Sequence, residues 1–322
     1  MKIRYHNAVL RHNTGLHPES ASRIEAFGPL AADPADWEAE AWLPLAHDPA
    51  YIERVRTHSA SGLPFDADTI VSRGSFDAAC AAVGLTIRAM ETGDFALVRP
   101  PGHHAYRNEA HGFCLFNNIA IAAAKAVAAG KRVLILDFDG HLGDGTMSIF
   151  YESDQVFYWS LHQYPAYPGH GATNETGVGT GKGYTLNVPL PPGAADDIML
   201  HAIDYLWGIA EQFKPDVVAV SAGFDAHYAD PLLQLNASDA FYYKTALRLR
   251  ESFSGKIFAA LEGGYNTKQL PRSVRNFIAG VNGEKMAFPE AGTSSGLRAW
   301  ETYEMNLHYA ASMMAAHWKF GA

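Results

Sequence analysis

Cysteine is nearly absent from this 322-residue chain. Cys80 and Cys114 are the only two, and they form no C-x-x-C pair. A disulfide framework or a thiolate zinc site is therefore excluded as the organising device. No apolar run approaches membrane-spanning length, and the opening Met-Lys-Ile-Arg-Tyr-His-Asn has no apolar signal core. We expect a cytoplasmic protein with no membrane partner. Basic charge is in deficit too: 25 Lys and Arg face 34 Asp and Glu, for a formal net charge of -9. Binding along a nucleic-acid backbone needs a basic face, so nucleic acid is not an expected partner. Repeats and low-complexity linkers are also missing. One domain over residues 1–322 is the expectation, since a chain of this size can bury a single large core.

What the chain does have is four apolar runs that end on chemically loaded residues. Phe95-Ala-Leu-Val98 leads into Arg99-Pro-Pro-Gly-His103-His104, and Val133-Leu-Ile-Leu136 into Asp137-Phe-Asp139-Gly-His141-Leu-Gly-Asp144. Val217-Val-Ala-Val220 leads into Ser221-Ala-Gly-Phe-Asp225, and Ile257-Phe-Ala-Ala-Leu261 into Glu262-Gly-Gly-Tyr265. Short β-branched runs between helical stretches read as buried strands of a parallel sheet. Helices are expected over 76–92, 117–129, 195–213 and 237–253, the first two closed by Gly93 and Gly130. This alternation predicts an α/β, doubly wound sheet with helices on both faces. Residues 1 to about 75 read as helices and loops at the rim. A tail helix over 297–320 carries Trp300, Tyr303, Leu307, Ala310 and Met314 at helical spacing, for core packing or a homo-oligomer contact. Gly177-Val-Gly-Thr-Gly-Lys-Gly183 lacks the spacing of a phosphate loop and leads into a strand pattern, so we read it as a flexible loop.

In open α/β sheets the ligand site lies at the carboxyl ends of the strands, so the four endings point to one site. Asp139 and His141 are one residue apart and on an extended strand end face the same way. Asp225 can supply a third ligand, leaving an open position as a catalytic metal requires. Zinc is the first choice, and the donor set also accepts Fe(II), Co(II) or Mn(II). His103 and His104 suit proton transfer, because imidazole titrates near neutrality. Asp137 and Asp144 flank the metal motif and can each orient one imidazole. Tyr265, after two glycines, can donate to a developing oxyanion.

These residues also carry a resemblance. Arg-Pro-Pro-Gly-His-His (99–104), Gly-Phe-Cys-Leu-Phe-Asn-Asn (112–118), Asp-Phe-Asp-Gly-His (137–141), Gly-Phe-Asp-Ala-His (223–227) and Leu-Glu-Gly-Gly-Tyr-Asn (261–266) resemble the zinc-dependent histone deacetylase family. Within it they are similar to the class II branch, with its bacterial deacetylase-like and acetylpolyamine amidohydrolases. The likeness runs from about His17-Pro-Glu19 to Asn266. It implies the arginase–deacetylase three-layer α/β/α sandwich with a central, mainly parallel sheet, and removal of acyl groups from amines, with acyl-lysine as the expected substrate. It implies Asp139, His141 and Asp225 as zinc ligands and His104 as general base and acid. His103 would be its electrostatic partner, with Asp137 orienting His103 and Asp144 orienting His104. Tyr265 would polarise the carbonyl. Phe113 and Tyr167 match the aromatic walls of an acyl-chain tunnel. Asp137, Asp139, His141, Ser160 and Leu161 match a structural potassium site.

Two residues depart from the family pattern. Gly140 and Leu142 stand where the family usually has Val and a second His. Gly140 is expected to loosen the ligand loop, and Leu142 to alter buried polar packing behind the metal. Leu232, after Asp230-Pro231, favours acyl-lysine over a polyamine, because polyamine-specific relatives place Glu there. Two rival readings remain. A two-manganese ureohydrolase would need another carboxylate beside Asp225, yet position 227 is His. A non-catalytic acyl-lysine-binding protein would tolerate loss of Tyr265, a histidine or a ligand, yet all are present.

Overall fold

The four apolar runs fold as parallel strands of one sheet. In the computed structural model, described over residues 1–35 and 38–319, the strands are β1 (Ile3–Arg4), β2 (Phe95–Ala96), β3 (Val133–Asp137), β4 (Val156–Gln163), β5 (Thr185–Leu190), β6 (Val217–Ala222) and β7 (Ile257–Leu261). Their spatial order is β1-β2-β7-β6-β3-β4-β5, and every neighbouring pair is parallel. This is the expected α/β fold, with seven strands among the described residues. The chain steps outward from β3 through β4 to β5, then returns to lay β6 on the other side of β3. The strand order therefore reverses at the β3–β6 boundary, where such sheets open a crevice for ligands.

The strands are buried along their length because helices cover the sheet, which explains their apolar runs. Helices Ser75–Thr92 and Asn118–Ala128 pack on each other and on the β2, β7, β6 and β3 region. Helices Asp196–Phe213, Asp239–Phe253 and Leu270–Asn282 form a second packed group. Their caps follow the sequence. Asn117 accepts the Ala120 N–H at 3.0 Å, Ser238 accepts the Ala240 N–H at 3.1 Å, and Gly93 closes its helix in the left-handed region.

Several elements differ from expectation. The amino-terminal stretch contributes an edge strand, β1, as well as rim helices, because Lys2, Arg4 and the following loop are tied to Asp94 and Asp33. β4 and helix Leu270–Asn282 were not anticipated. The tail helix spans Leu297–Met314, and position 320 of the expected 297–320 lies outside the described residues. The Gly177–Gly183 segment is a packed turn: a Cβ at Gly177 or Gly181 would strike backbone at 2.0 or 2.5 Å.

Candidate active site

Alternation along the β3 end sets the site. Phe138 is buried against Phe224, Tyr242 and Phe277, with ring centroids 5.8, 5.6 and 5.5 Å away. Asp137 and Asp139 consequently face the other way. Asp137 is level with Ser221 of β6 and Ser160 of β4, so Asp225, four residues beyond Ser221, reaches the same crevice. His141 Nδ1 lies 2.8 Å from Asp225 Oδ2 and 3.2 Å from Asp139 Oδ1. Donor atoms of Asp139, His141 and Asp225 all lie within 4.8 Å of one another.

Close backbone approach builds this cluster. Gly140 N–H donates to Asp225 Oδ1 at 2.7 Å and Gly263 N–H to Asp139 Oδ2 at 2.7 Å. A Cβ at Gly223 would sit 1.8 Å from Asp139 Oδ2, and one at Gly263 2.5 Å from Asp225 Oδ2. Gly140 does not loosen the loop. A Cβ there would meet Leu233 Cδ1 at 2.2 Å, and Gly140 is held by its bonds to Asp225 and Gln163. Leu233 has taken the space a side chain would fill. Leu142 is fully buried in the apolar core. The nearby polar role falls to His162, held by Ser160 Oγ at 2.9 Å and the Gly171 carbonyl at 3.1 Å.

Does this donor set suit a cation? Burial opposes charge on His141, yet Asp225 and Asp139 outweigh it and hold the imidazole up at about 10. Two buried carboxylates with a proton-retaining imidazole between them form a pocket that demands positive charge. Three O and N donors at strand ends fit a divalent ion.

Around the cluster, His103 Nδ1 faces Asp137 Oδ2 at 3.2 Å, and His104 Nδ1 faces Asp144 Oδ1 at 2.7 Å. The two rings lie 4.1 Å apart. Their environments push them in opposite directions. Burial opposes charge on both. At His103 the carboxylates of Asp139 and Asp137 prevail and raise it well above the ordinary range. At His104 burial prevails, His103 adds repulsion, and the pKa falls to about 4. Burial keeps the Tyr265 phenol protonated well above its usual value, with Asp225 and Asp139 reinforcing it against Arg23.

A cavity of about 450 Å³ is lined by His103, His104, His141, Tyr265, the two expected wall residues Phe113 and Tyr167, and Leu232. The Phe113 ring meets Tyr265 edge-on at 5.9 Å, and Tyr167 meets His104 at 5.1 Å. Phe113 adopts φ 70°, a conformation rare outside glycine. Ser160 is paired with Asp137 across β3–β4, and Leu161 follows it in β4.

Sequence reading missed the residues that act on the backbone. Glu262 Oε2 accepts the N–H groups of Gly102 at 2.6 Å and His103 at 3.1 Å, fastening the histidine loop to β7. Arg23 donates to the carbonyls of Gly264, at 2.7 Å, and Glu262, and its guanidinium lies 4.8 Å from the Tyr265 ring centre. Arg99 grips the buried Glu19 through two 2.8 Å bonds, holding that carboxyl down at about 2 against the cost of burial.

The histone deacetylase domain profile matches residues 8–281. The chain belongs to the histone deacetylase family. It is thus a deacetylase of that family, a hydrolase acting on amides, and the family is metal-dependent. A probable deacetylase of Archaeoglobus fulgidus is 36% identical over 308 residues, covering 87% of this chain and 86% of the relative. The histone deacetylase-like amidohydrolase of Pseudomonas aeruginosa is 37% identical over 241 residues, 70% of this chain and 63% of its own. The crystal structure of the HDA15 HD domain superposes with a TM-score of 0.88 at 33% identity, covering 99% of this chain and 97% of that one. Among the described residues no helix is long and apolar enough to cross a membrane.

Proposed function

We propose that the chain is a zinc-dependent amidohydrolase that removes acetyl or other acyl groups from amines, with acyl-lysine side chains as its main substrates. The observation that carries this reading is the convergence on one 450 Å³ cavity of two carboxylate-bonded histidines, the Tyr265 phenol and His141, which stands within 4.8 Å of the donors of Asp139 and Asp225. Asp139, His141 and Asp225 would hold the zinc, which when bound supplies Lewis acidity to the carbonyl and to water. Fe(II), Co(II) and Mn(II) suit the same donors.

The remaining chemistry falls to the protein. His104, neutral because of its burial and its charged neighbour, has Nδ1 committed to Asp144, so its other nitrogen is the general base. It takes a proton from the attacking water and passes it to the departing amine. His103, whose charged form Asp139 and Asp137 favour against burial, would contribute positive charge beside the developing anion. Tyr265 donates its O–H to the oxyanion, a role that needs the phenol protonated throughout. Products are a carboxylate and an ammonium ion. Phe113 and Tyr167 wall the acyl-amine chain, and Leu232 at the mouth presents no charge to it. A potassium ion held by Asp137, Asp139, His141, Ser160 and Leu161 would brace the two strand ends.

One observation favours a second reading. Asp66 and Asp68, both exposed, line the same cavity and would welcome a cationic amine such as an acetylpolyamine. The test is turnover by zinc-loaded protein of acyl-lysine peptides, acetylated polyamines and simple acetyl-amines, with an EDTA control. Chelator-sensitive release from lysine peptides is expected. Preference for polyamines would select the second reading. Binding of acyl-lysine without hydrolysis of any substrate would make the protein a non-catalytic reader.

A further inference from the structure

The turn that presents Tyr265 is gripped from two sides. Its carbonyls, those of Glu262 and Gly264, are held by Arg23. Its N–H groups at Tyr265 and Asn266 are held by a carboxylate to which the catalytic scheme gives no part. Asp230, only 8% exposed, accepts the Tyr265 N–H at 2.6 Å and the Asn266 N–H at 3.2 Å on Oδ2. Its other oxygen accepts the Leu232 N–H at 3.1 Å. Asn266 returns the contact, donating from Nδ2 to the Ala229 carbonyl at 2.7 Å. One buried carboxylate thus joins the turn bearing the oxyanion donor to the turn bearing the wall residue at the cavity mouth. Both Tyr265 and Leu232 line that cavity.

Three N–H groups converging on the two oxygens of one buried carboxyl make a stiff joint, since each would be left unpaired in the interior if that carboxyl moved. The two oxygens divide the labour, Oδ2 for the Tyr265 turn and Oδ1 for Leu232. We propose that Asp230 is a positioning residue that registers the phenol of Tyr265 and the wall at Leu232 against the same substrate, coupling turnover rate to amine selectivity. This rests on the amidohydrolase reading above. Asp230 touches no reacting atom in it, and its whole effect passes through the two side chains it places.

The test is a double-mutant cycle on the zinc-loaded protein. Asp230→Asn keeps the shape but turns one acceptor oxygen into an NH₂ group facing an N–H. It should lower kcat about 10–100-fold, the scale of a misplaced catalytic group. It should also shift the ratio of kcat/KM between a lysine peptide and a small acetyl-amine by about threefold or more. In a Tyr265→Phe background the same change should cost less than about threefold in kcat, because the group it positions is gone. An equal loss in both backgrounds would reduce Asp230 to a structural residue and overturn the proposal.

Binding of an alkyl hydroxamate, measured by calorimetry on the same four proteins, separates this claim from the functional one. Non-additive binding with no amide turnover would sink the amidohydrolase reading and keep the joint. Turnover with additive losses in both measurements would do the reverse. A zinc-loaded wild type that neither binds hydroxamate nor hydrolyses amides overturns both. Should Asp230→Asn fail to fold or to hold zinc, Asn266→Ala loosens the junction from its other side. A kcat loss of about 3–10-fold is then expected, with the same dependence on Tyr265.

Discussion

Two clusters in this molecule each bring two carboxylates and one imidazole within 4.8 Å: Asp139, His141 and Asp225, and His227, Asp239 and Glu290. Residue types and spacing are alike, and the chemistry is opposite. In the first, His141 Nδ1 sits between two buried carboxylates whose ion pairs are with histidines. In the second, His227 Nδ1 accepts the Ala229 N–H at 3.1 Å, and its Nε2 faces Glu290 at 3.2 Å. Glu290 also takes the Asp239 N–H at 2.7 Å and the Tyr228 O–H at 2.8 Å. Asp239 is faced by Arg272 at 3.5 Å and bonded by Ser273 at 2.6 Å. A metal there would have to displace the bonds that Glu290 makes to His227, Tyr228 and Asp239, and do so beside a guanidinium. The comparison teaches that the partners already bonded to each group, more than the tally of donors, tell the two clusters apart.

The largest effect expected is on metal content. His141→Ala or Asp225→Ala should abolish stoichiometric zinc, measured by elemental analysis after gel filtration, and remove activity. His227→Ala and Glu290→Gln should retain one equivalent. A His141→Ala protein that keeps its ion, or a Glu290→Gln protein that loses it, would collapse the contrast. Next in size is Tyr265→Phe, which should lower kcat by about 100–1,000-fold with KM little changed, since the phenol acts on the oxyanion. Steady-state kinetics on the preferred substrate decide it. Gly223→Ala comes third. The added methyl would lie 1.8 Å from Asp139 Oδ2 and must displace a ligand, so zinc affinity should fall about 10–100-fold. Competition against a chromogenic chelator reads this directly, and unchanged affinity would show that the glycine cradle has no part in holding the ligands.

What was legible beforehand follows the same line. Asp139, His141 and Asp225 could be seen because strand-end alternation and functional side chains leave a pattern in the letters. The helix end at Gly93 was visible for a similar reason, while Asn117, read as the first residue of its helix, is its N-cap. Arg23, Glu262 and Asp230 were not recognised for what they hold, because they act on backbone N–H and carbonyl groups far away in sequence. Such groups are present at nearly every position and mark none of them. β1 escaped notice as a two-residue edge strand tied down by Asp94 and Asp33, with no periodicity to read. Gly140 was misjudged for a related reason: an isolated glycine suggests freedom, while its N–H is held by Asp225 and its carbonyl by the Gln163 N–H, partners far away in sequence.

The smallest effect isolates what the second cluster is for. Glu290 fastens the segment beyond helix Leu270–Asn282 to the turn at 227–228 and to the start of helix Asp239–Phe253. Burial raises its carboxyl, but the bonds from Asp239, Tyr228 and His227 win and leave it below the ordinary 4.5. A lowered folded-state pKa means the unfolded chain binds the proton more readily. The stabilisation is therefore fully present above about pH 4.5 and is lost as pH falls through the lower, folded value. Glu290→Gln should destabilise the zinc-loaded protein by about 1–2 kcal/mol at pH 7, the usual worth of hydrogen bonds to a charged group. The gap from wild type, followed by denaturant unfolding, should narrow as the pH is taken from 7 toward 4, with kcat unchanged at pH 7. A gap independent of pH would mean that Glu290 acts by packing alone, and a loss of activity at pH 7 would tie this strap to the turn that carries Asp230.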